Sequence, residues 1–161
     1  MTEPGVAPSA DVREMVNRIK AARREGHYYV ALLGLRTYGT IPLYRTVRRG
    51  LAYAAFERFR RNANLSQQDL SELTEIPERT LARRKEAGKL APDESDRLLR
   101  ASRVFGRALE LFEGDVELAR QWLSTPQTAL GGLAPLELAK TDVGAHEVES
   151  LLGRLEYGIP A

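Results

Sequence analysis

The sequence has no cysteine, which excludes disulfides, a thiolate nucleophile and any cysteine-based zinc site. Its two histidines, His27 and His146, stand far apart, so no structural metal is expected. His146 falls beside Glu147 and Glu149, where a lone surface histidine is the plain reading. The phosphate-binding pattern GxxxxGK[ST], a GxGxxG turn after a strand, an HExxH helix and a Ser/His/Asp cluster brought together by spacing are all missing. Enzymes need a nucleophile, a base, a metal or a cofactor loop; with none in view, the chain reads as a non-enzyme without a cofactor. No apolar run approaches the roughly 18 residues of a membrane span, and no basic segment followed by an apolar one opens the chain. A cytoplasmic protein away from membranes is the expectation.

What is present is ordinary in amount and uneven in arrangement. The 161 residues, 43% hydrophobic and 29% charged, suit one domain or two small ones with a real core. Net charge is only +2, yet residues 45–100 hold 13 Lys/Arg against 9 Asp/Glu, and residues 106–161 hold 4 against 9. A basic middle followed by an acidic end suits a nucleic-acid-facing module followed by a protein-facing one, or simply two solvated surfaces that differ.

Residues 1–10 are rich in Pro, Gly and Ala without periodicity, as in a terminal arm. Asp11 can cap a helix to about residue 25, with Val12, Met15, Val16 and Ile19 on one face and Gly26 as its stop. The run HYYVALLGL over 27–35 is too short for periodicity to choose between strand and buried helix. A turn over 37–40 leads to a short helix from Pro42 to Arg49, ended by Gly50. The next helix covers 53–62, with Tyr53, Phe56 and Phe59 inward and Arg58, Arg60 and Arg61 outward.

Ser66-Gln67-Gln68-Asp69 places a hydroxyl three residues before a carboxylate, close to a capping box. Leu70 and Leu73 then supply an apolar face, and Thr74-Glu75-Ile76 forms a tight turn pinned by Ile76. Pro77 opens a second helix through Lys85, with Leu81 inward and Arg79, Thr80, Arg83 and Arg84 outward. Helix, three-residue turn, helix is the outline of a helix-turn-helix. The first turns of such a second helix enter a major groove, where arginine forks to guanine, and later Arg and Lys neutralise phosphates. Arg79, Thr80, Arg83, Arg84 and Lys85 are therefore the candidate DNA-binding residues; a helical hairpin with a solvated arginine-rich face is the alternative. Gly88 and Pro92 bracket the following turn, and residues 93–113 read as one long helix joining two modules, because Leu98, Ala101, Phe105, Ala108, Leu109 and Phe112 recur every three or four residues.

The remainder is punctuated into three helices. Asp115 caps the first, with Val116, Ala119 and Leu123 on one face, Leu118 and Trp122 beside them, and Pro126 ending it. After Gly131-Gly132, Pro135 opens a second, to Lys140; Thr141 caps a third carrying Val148, Leu151, Leu152 and Leu155, closed by Tyr157-Gly158. Elements this short hold only by packing.

The order of Gly114-Asp115, Ala119, Trp122-Leu123, Pro126, Leu130-Gly131-Gly132, Pro135-Leu136, Thr141, Gly144, Val148, Leu152 and Glu156-Tyr157-Gly158 resembles the toxin-binding domain of the Xre/MbcA/ParS antitoxins, the partners of RES-domain toxins. The segment IPERTLARRKEAGKLAPDESDRLLR resembles their helix-turn-helix region as well. One departure is Ala134 before Pro135, where a better capping side chain is expected. The resemblance implies an all-α fold: an N-terminal arm and helix over 1–25, a helix-turn-helix region over 26–100 and a compact three-helix toxin-binding module within 101–161. It also implies a RES-domain, NAD-consuming toxin as protein partner and the operator of the chain's own operon as DNA partner. Trp122, Leu152, Arg154, Leu155, Glu156 and Tyr157 are the candidate toxin-facing set. Trp122, Leu152 and Leu155 also have the spacing of core residues, whereas Arg154, Glu156 and Tyr157 stand where a terminus can reach into a pocket. Paired half-sites imply a homodimer. The competing readings are a stand-alone regulator with a dimerising C-terminal domain, and a toxin-binding module whose helix-turn-helix remains only as scaffold.

Overall fold

The computed structural model describes residues 28–36 and 39–159. The expected arm and helix over 1–25, His27 and residues 37 and 38 of the expected turn over 37–40 lie outside them. Among the described residues the chain is all-α, with no strand beyond two isolated bridges, Ala52 to Lys89 and Gln127 to Leu133. The helices are α1 (Tyr28–Leu32), α2 (Thr40–Arg49), α3 (Tyr53–Asn62), α4 (Gln67–Thr74), α5 (Glu78–Ala87), α6 (Pro92–Leu111), α7 (Val116–Ser124), α8 (Pro135–Leu138) and α9 (Asp142–Glu156), with a 3₁₀ turn at Thr128–Leu130. No described helix is long and apolar enough to cross a membrane.

The axis of the molecule is α6. Pro92 occupies its first turn, where the missing N–H costs nothing, and the backbone N–H of Ala91 donates to Glu94 Oε1 at 2.8 Å. Leu98, Ala101, Val104, Phe105, Ala108 and Leu109 along it are all essentially inaccessible. Around this stripe pack α1, α2 and α4 from the N-terminal part and α7 and α9 from the C-terminal part, and one continuous core results. The helix ends two residues before the expected 113, because Glu113 and Gly114 both take positive φ and the Gly114 N–H closes on the Leu109 carbonyl at 2.8 Å. That reversal turns the chain into α7.

The ambiguous run after His27 is a helix, α1, with Tyr28, Val30 and Leu32 buried. Its last carbonyls are held from α3, where Asn62 Nδ2 donates to the Leu32 oxygen at 2.9 Å. Helix α2 starts at Thr40, inside the expected turn, and places Pro42 within its first turns. In α3, Tyr53, Phe56 and Phe59 face inward as the pattern requires.

In the C-terminal module the side chains of Asp115 and Thr141 accept the Leu118 and Gly144 N–H groups at 3.1 and 3.0 Å, so both expected caps form. Helix α8 is one turn, shorter than the expected span to Lys140, and has no side-chain cap at Ala134. The apolar face of α7 is narrower than the pattern implied: Val116, Ala119 and Leu123 are buried while Leu118 is exposed. Helix α9 lies so close to α8 that a Cβ on Gly144 would stand 2.0 Å from the Leu138 carbonyl oxygen. Backbone cannot yield there as a flexible side-chain tip can. Gly144→Ala is expected to lower the unfolding free energy by about 1–3 kcal/mol, the usual cost of overpacking; urea titration of the full chain checks this, and wild-type stability would show that α8 can move aside.

Candidate functional site

The helix-turn-helix is built as its sequence dictates. Ser66 Oγ accepts the Asp69 N–H at 3.0 Å and Asp69 Oδ2 accepts the Ser66 N–H at 3.4 Å, a complete capping box at the start of α4. Glu75 takes a left-handed conformation that turns the chain sharply, and Ile76 is buried beneath it. Within the turn, Ser71 Oγ donates to the Ile76 carbonyl at 2.6 Å. Pro77 stands at the N-cap of α5 and Leu81 is the one residue of that helix fully buried.

This leaves most of α5 in solvent. Arg79, Arg83 and Lys85 are exposed, Thr80 is half-buried, and Arg83 Nη2 donates to Thr80 Oγ1 at 3.4 Å. Arg84 differs from its expected outward placement. Its guanidinium forks onto Glu94 of α6, with Nε to Oε1 at 2.7 Å and Nη2 to Oε2 at 3.2 Å, and Glu94 is itself buried. The hydrogen bond first, and the carboxylate charge second, push the Arg84 guanidinium further above its ordinary range. Arg84 thus ties α5 to the central helix. Sequence spacing shows neither the contact nor Glu94, since the partner lies across a turn.

The second surface is the end of α9. Leu152 lies inside the core at 1% exposure, where it seats the helix. Trp122 is half-buried with its ring 6.5 Å from that of Phe112. Leu155, which shares the apolar spacing, is nevertheless 38% exposed. Tyr157 is 78% exposed and Ile159 53%. These two are held firmly: the Ile159 N–H donates to the Arg154 carbonyl at 2.8 Å and the Gly158 N–H to the Leu155 carbonyl at 3.2 Å, a left-handed cap that folds the chain back over the helix end. Ile159 escaped the sequence reading, although an apolar residue just past a capping glycine was its signal. Arg154 donates to Ser150 Oγ at 3.0 Å and lies 3.6 Å from Glu147. Glu156 lies 3.6 Å from Arg107, which also pairs with Glu110 at 3.2 Å.

That last contact belongs to a row. Arg100, Arg103 and Arg107 of α6 reach Asp142, Glu149 and Glu156 of α9 at 4.0, 2.7 and 3.6 Å. The row sets the orientation of α9, and so of its exposed end. A cleft of about 400 Å³ lies where α4 faces α7 and α8, lined by Leu65, Asp69, Glu72, Leu73 and Leu136 among others. Its two cations are already paired, Lys140 with Glu137 and Arg120 with Glu117, so it offers no free anion site. Among the described residues no cluster of His, Asp and Glu could hold a metal ion.

Fold and surfaces together define a class: an all-helical protein that joins a helix-turn-helix to a helical docking module through one shared helix. Comparison with known proteins carries this to a family. Residues 42–103 match the model of the antitoxin Xre-like helix-turn-helix domain, and residues 107–158 that of the antitoxin Xre/MbcA/ParS C-terminal toxin-binding domain. The chain is 37% identical over 122 residues to the antitoxin Xre of Yersinia enterocolitica, spanning 75% of this chain and 82% of that one. It is 34% identical over 111 residues to the antitoxin Xre of Photorhabdus laumondii, spanning 68% and 75%, and 38% identical over 84 residues to that of Pseudomonas putida, spanning 52% of each. The chain belongs to the Xre family of antitoxins, with a helix-turn-helix domain and a C-terminal toxin-binding domain.

Glu94→Ala would remove the carboxylate that holds both Arg84 and the Ala91 N–H. A loss of about 1–3 kcal/mol is expected for groups left unsatisfied in this way, read from the urea midpoint; no change would show that Arg84 does not depend on Glu94.

Proposed function

We propose that this antitoxin neutralises a RES-domain toxin, an NAD-degrading enzyme, by seating the end of α9 in the toxin's cleft, and that it represses its own operon through α5. The observation that carries the first part is Tyr157, exposed on a locked cap between exposed Leu155 and Ile159. A backbone already fixed before docking leaves only the few side-chain torsions of the tyrosine to be ordered, a low entropy cost of the kind that favours aromatic anchors at interfaces. The acidic surplus of residues 106–161 favours a basic cleft of the kind that binds a dinucleotide. RES-domain identity of the toxin is supported by the resemblance of the C-terminal residues to the partners of such toxins. Arg154 and Glu156 border Tyr157 in sequence and extend the same helix end, and Trp122, half-buried against Phe112, completes the candidate set. DNA binding is supported by the exposed Arg79, Thr80, Arg83 and Lys85 on the second helix of the helix-turn-helix, while Arg84 orients that helix from its pair with Glu94. A homodimer would present two such helices to paired half-sites. Both partners place the chain in the cytoplasm.

The exposed apolar residues at the end of α9 also favour a second reading, a stand-alone regulator that dimerises through this module. Co-expression with the neighbouring gene product, affinity purification and an NAD-consumption assay decide between them. On the antitoxin reading a partner co-purifies and consumes NAD only when freed. Tyr157→Ala is expected to weaken the complex by about 2 kcal/mol, roughly 30-fold, in the manner of a buried aromatic hot spot, and truncation after Gly153 to abolish neutralisation while DNA binding persists. Full protection of cells by the truncated chain would sink the tail-in-cleft mechanism.

For the DNA surface, Arg79→Ala with Arg83→Ala should weaken operator binding and lower the slope of log affinity against log salt by roughly 0.9 for every phosphate no longer neutralised, leaving toxin binding intact. Operator affinity and slope equal to wild type would exclude α5 as the DNA-facing helix.

A further inference from the structure

Ion pairing divides the cations of the described residues into two populations. From Arg97 onward every Lys and Arg of the described residues lies within 4.0 Å of a carboxylate: Arg97 with Asp93, Arg100 with Asp96, Arg103 with Glu149, Arg107 with Glu110, Arg120 with Glu117, Lys140 with Glu137 and Arg154 with Glu147. Before Arg97, among the described residues, only Arg60 and Arg84 do. Among the described residues the uncompensated positive charge is therefore confined to the helix-turn-helix half, and much of it lies on α2, outside the helix-turn-helix proper.

Helix α2 has Arg45, Arg48 and Arg49, all exposed, and no acidic residue falls anywhere in 26–56. Leu43 is its buried position, and three- and four-residue spacing from Arg45 puts the other two arginines on the side away from it. Tyr44 is 61% exposed beside them. A purely local role accounts for part of the set, since Arg48 and Arg49 in the last turn complement the helix dipole. Arg45, a turn earlier, gains little from that.

The end of α2 is fastened to the end of α5. The Tyr53 N–H donates to the Gly88 carbonyl at 2.9 Å, the Leu90 N–H to the Leu51 carbonyl at 2.8 Å, and Lys89 Nζ to the Arg49 carbonyl at 3.1 Å. The basic end of α2 thus moves with the helix that carries Arg79 and Arg83, and Lys89 joins its charge to the group.

We infer that α2 is a second DNA-contacting element, in which Arg45, Arg48 and Arg49, with Lys89 beside them, neutralise backbone phosphates flanking the groove that α5 enters. This rests on the DNA-binding reading above. Guanidinium forks pair with phosphate oxygens two bonds at a time. Such contacts strengthen binding and fix its register, but carry no base information.

The test measures fluorescence anisotropy of the full chain with a duplex from its own promoter region and a scrambled duplex of equal length, across a range of salt. Arg45→Ala with Arg48→Ala and Arg49→Ala should weaken binding to both duplexes by the same factor, with their ratio unchanged. The salt slope should fall by about 0.9 for each phosphate that is no longer neutralised, up to about 2.7. Replacing the three by Lys should restore most of the slope. Arg45→Gln alone, at an exposed site away from the helix end, should lower it by about 0.9 and keeps the question answerable if the triple variant unfolds. Failure of the wild type to bind either duplex would overturn the DNA reading itself. Wild-type binding with an unchanged slope in the folded variants would overturn this inference alone, as would loss of the co-purifying partner with DNA binding intact, which would assign the patch to an acidic protein surface.

Discussion

Burial of a single apolar stripe on α6 is the constraint from which the rest follows. Leu98, Val104, Phe105 and Leu109 are fully enclosed, and burying each such side chain contributes about 1.5–3 kcal/mol. The surface ion pairs around them contribute about 0–1 kcal/mol each. The stripe cannot be covered by either half alone: α1, α2 and α4 close one side, α7 and α9 the other. Two recognition modules are thereby forced onto one rigid element, and the relation between them is a property of the core, without a linker to vary it.

On that frame the polar contacts act as positioning devices. Glu94 is the plainest case, for it caps the start of α6 through the Ala91 N–H and grips Arg84 of α5 with the same carboxylate. The row from Arg100, Arg103 and Arg107 to Asp142, Glu149 and Glu156 does the same for α9 at the other end. The partly exposed pairs of the α6–α9 row are not a large source of stability. Each set fixes the direction of a helix whose exposed face is the one available to a partner, and charges consumed in this way are no longer free for recognition. Among the described residues the cations left unpaired on α2 and α5 and the exposed apolar cap of α9 are consequently well separated in chemistry, one surface cationic and the other apolar.

Much of this was legible in the sequence because it depends on neighbours within a turn or two. The capping box at Ser66, the caps at Asp115 and Thr141, the Pro77 and Pro135 helix starts and the turn at Ile76 are all local chemistry, and they fall where their residue types require. The periodic core of α6 and the inward aromatics of α3 were equally readable. Difficulty began where the same spacing admits two environments. Leu118 and Leu155 carry the period of buried residues and lie in solvent, whereas Leu152 carries it and is enclosed. The run after His27 was too short to choose its own conformation, and became helical against α6.

What the sequence determined by itself, then, was the family pattern, most of the helices in order and the caps at Ser66, Asp115 and Thr141, because helix caps and apolar periods are set by residues three or four apart. What only the tertiary structure decided was which polar and apolar side chains remain available. Arg84 is taken by a carboxylate ten residues on, Leu155 and Tyr157 are left uncovered at the end of α9, and among the described residues Arg45, Arg48 and Arg49 have no carboxylate partner. Such choices depend on how far each helix extends beyond its neighbours once the core is closed. That distance is written in packing between residues remote in sequence, and so appears only when the chain is folded.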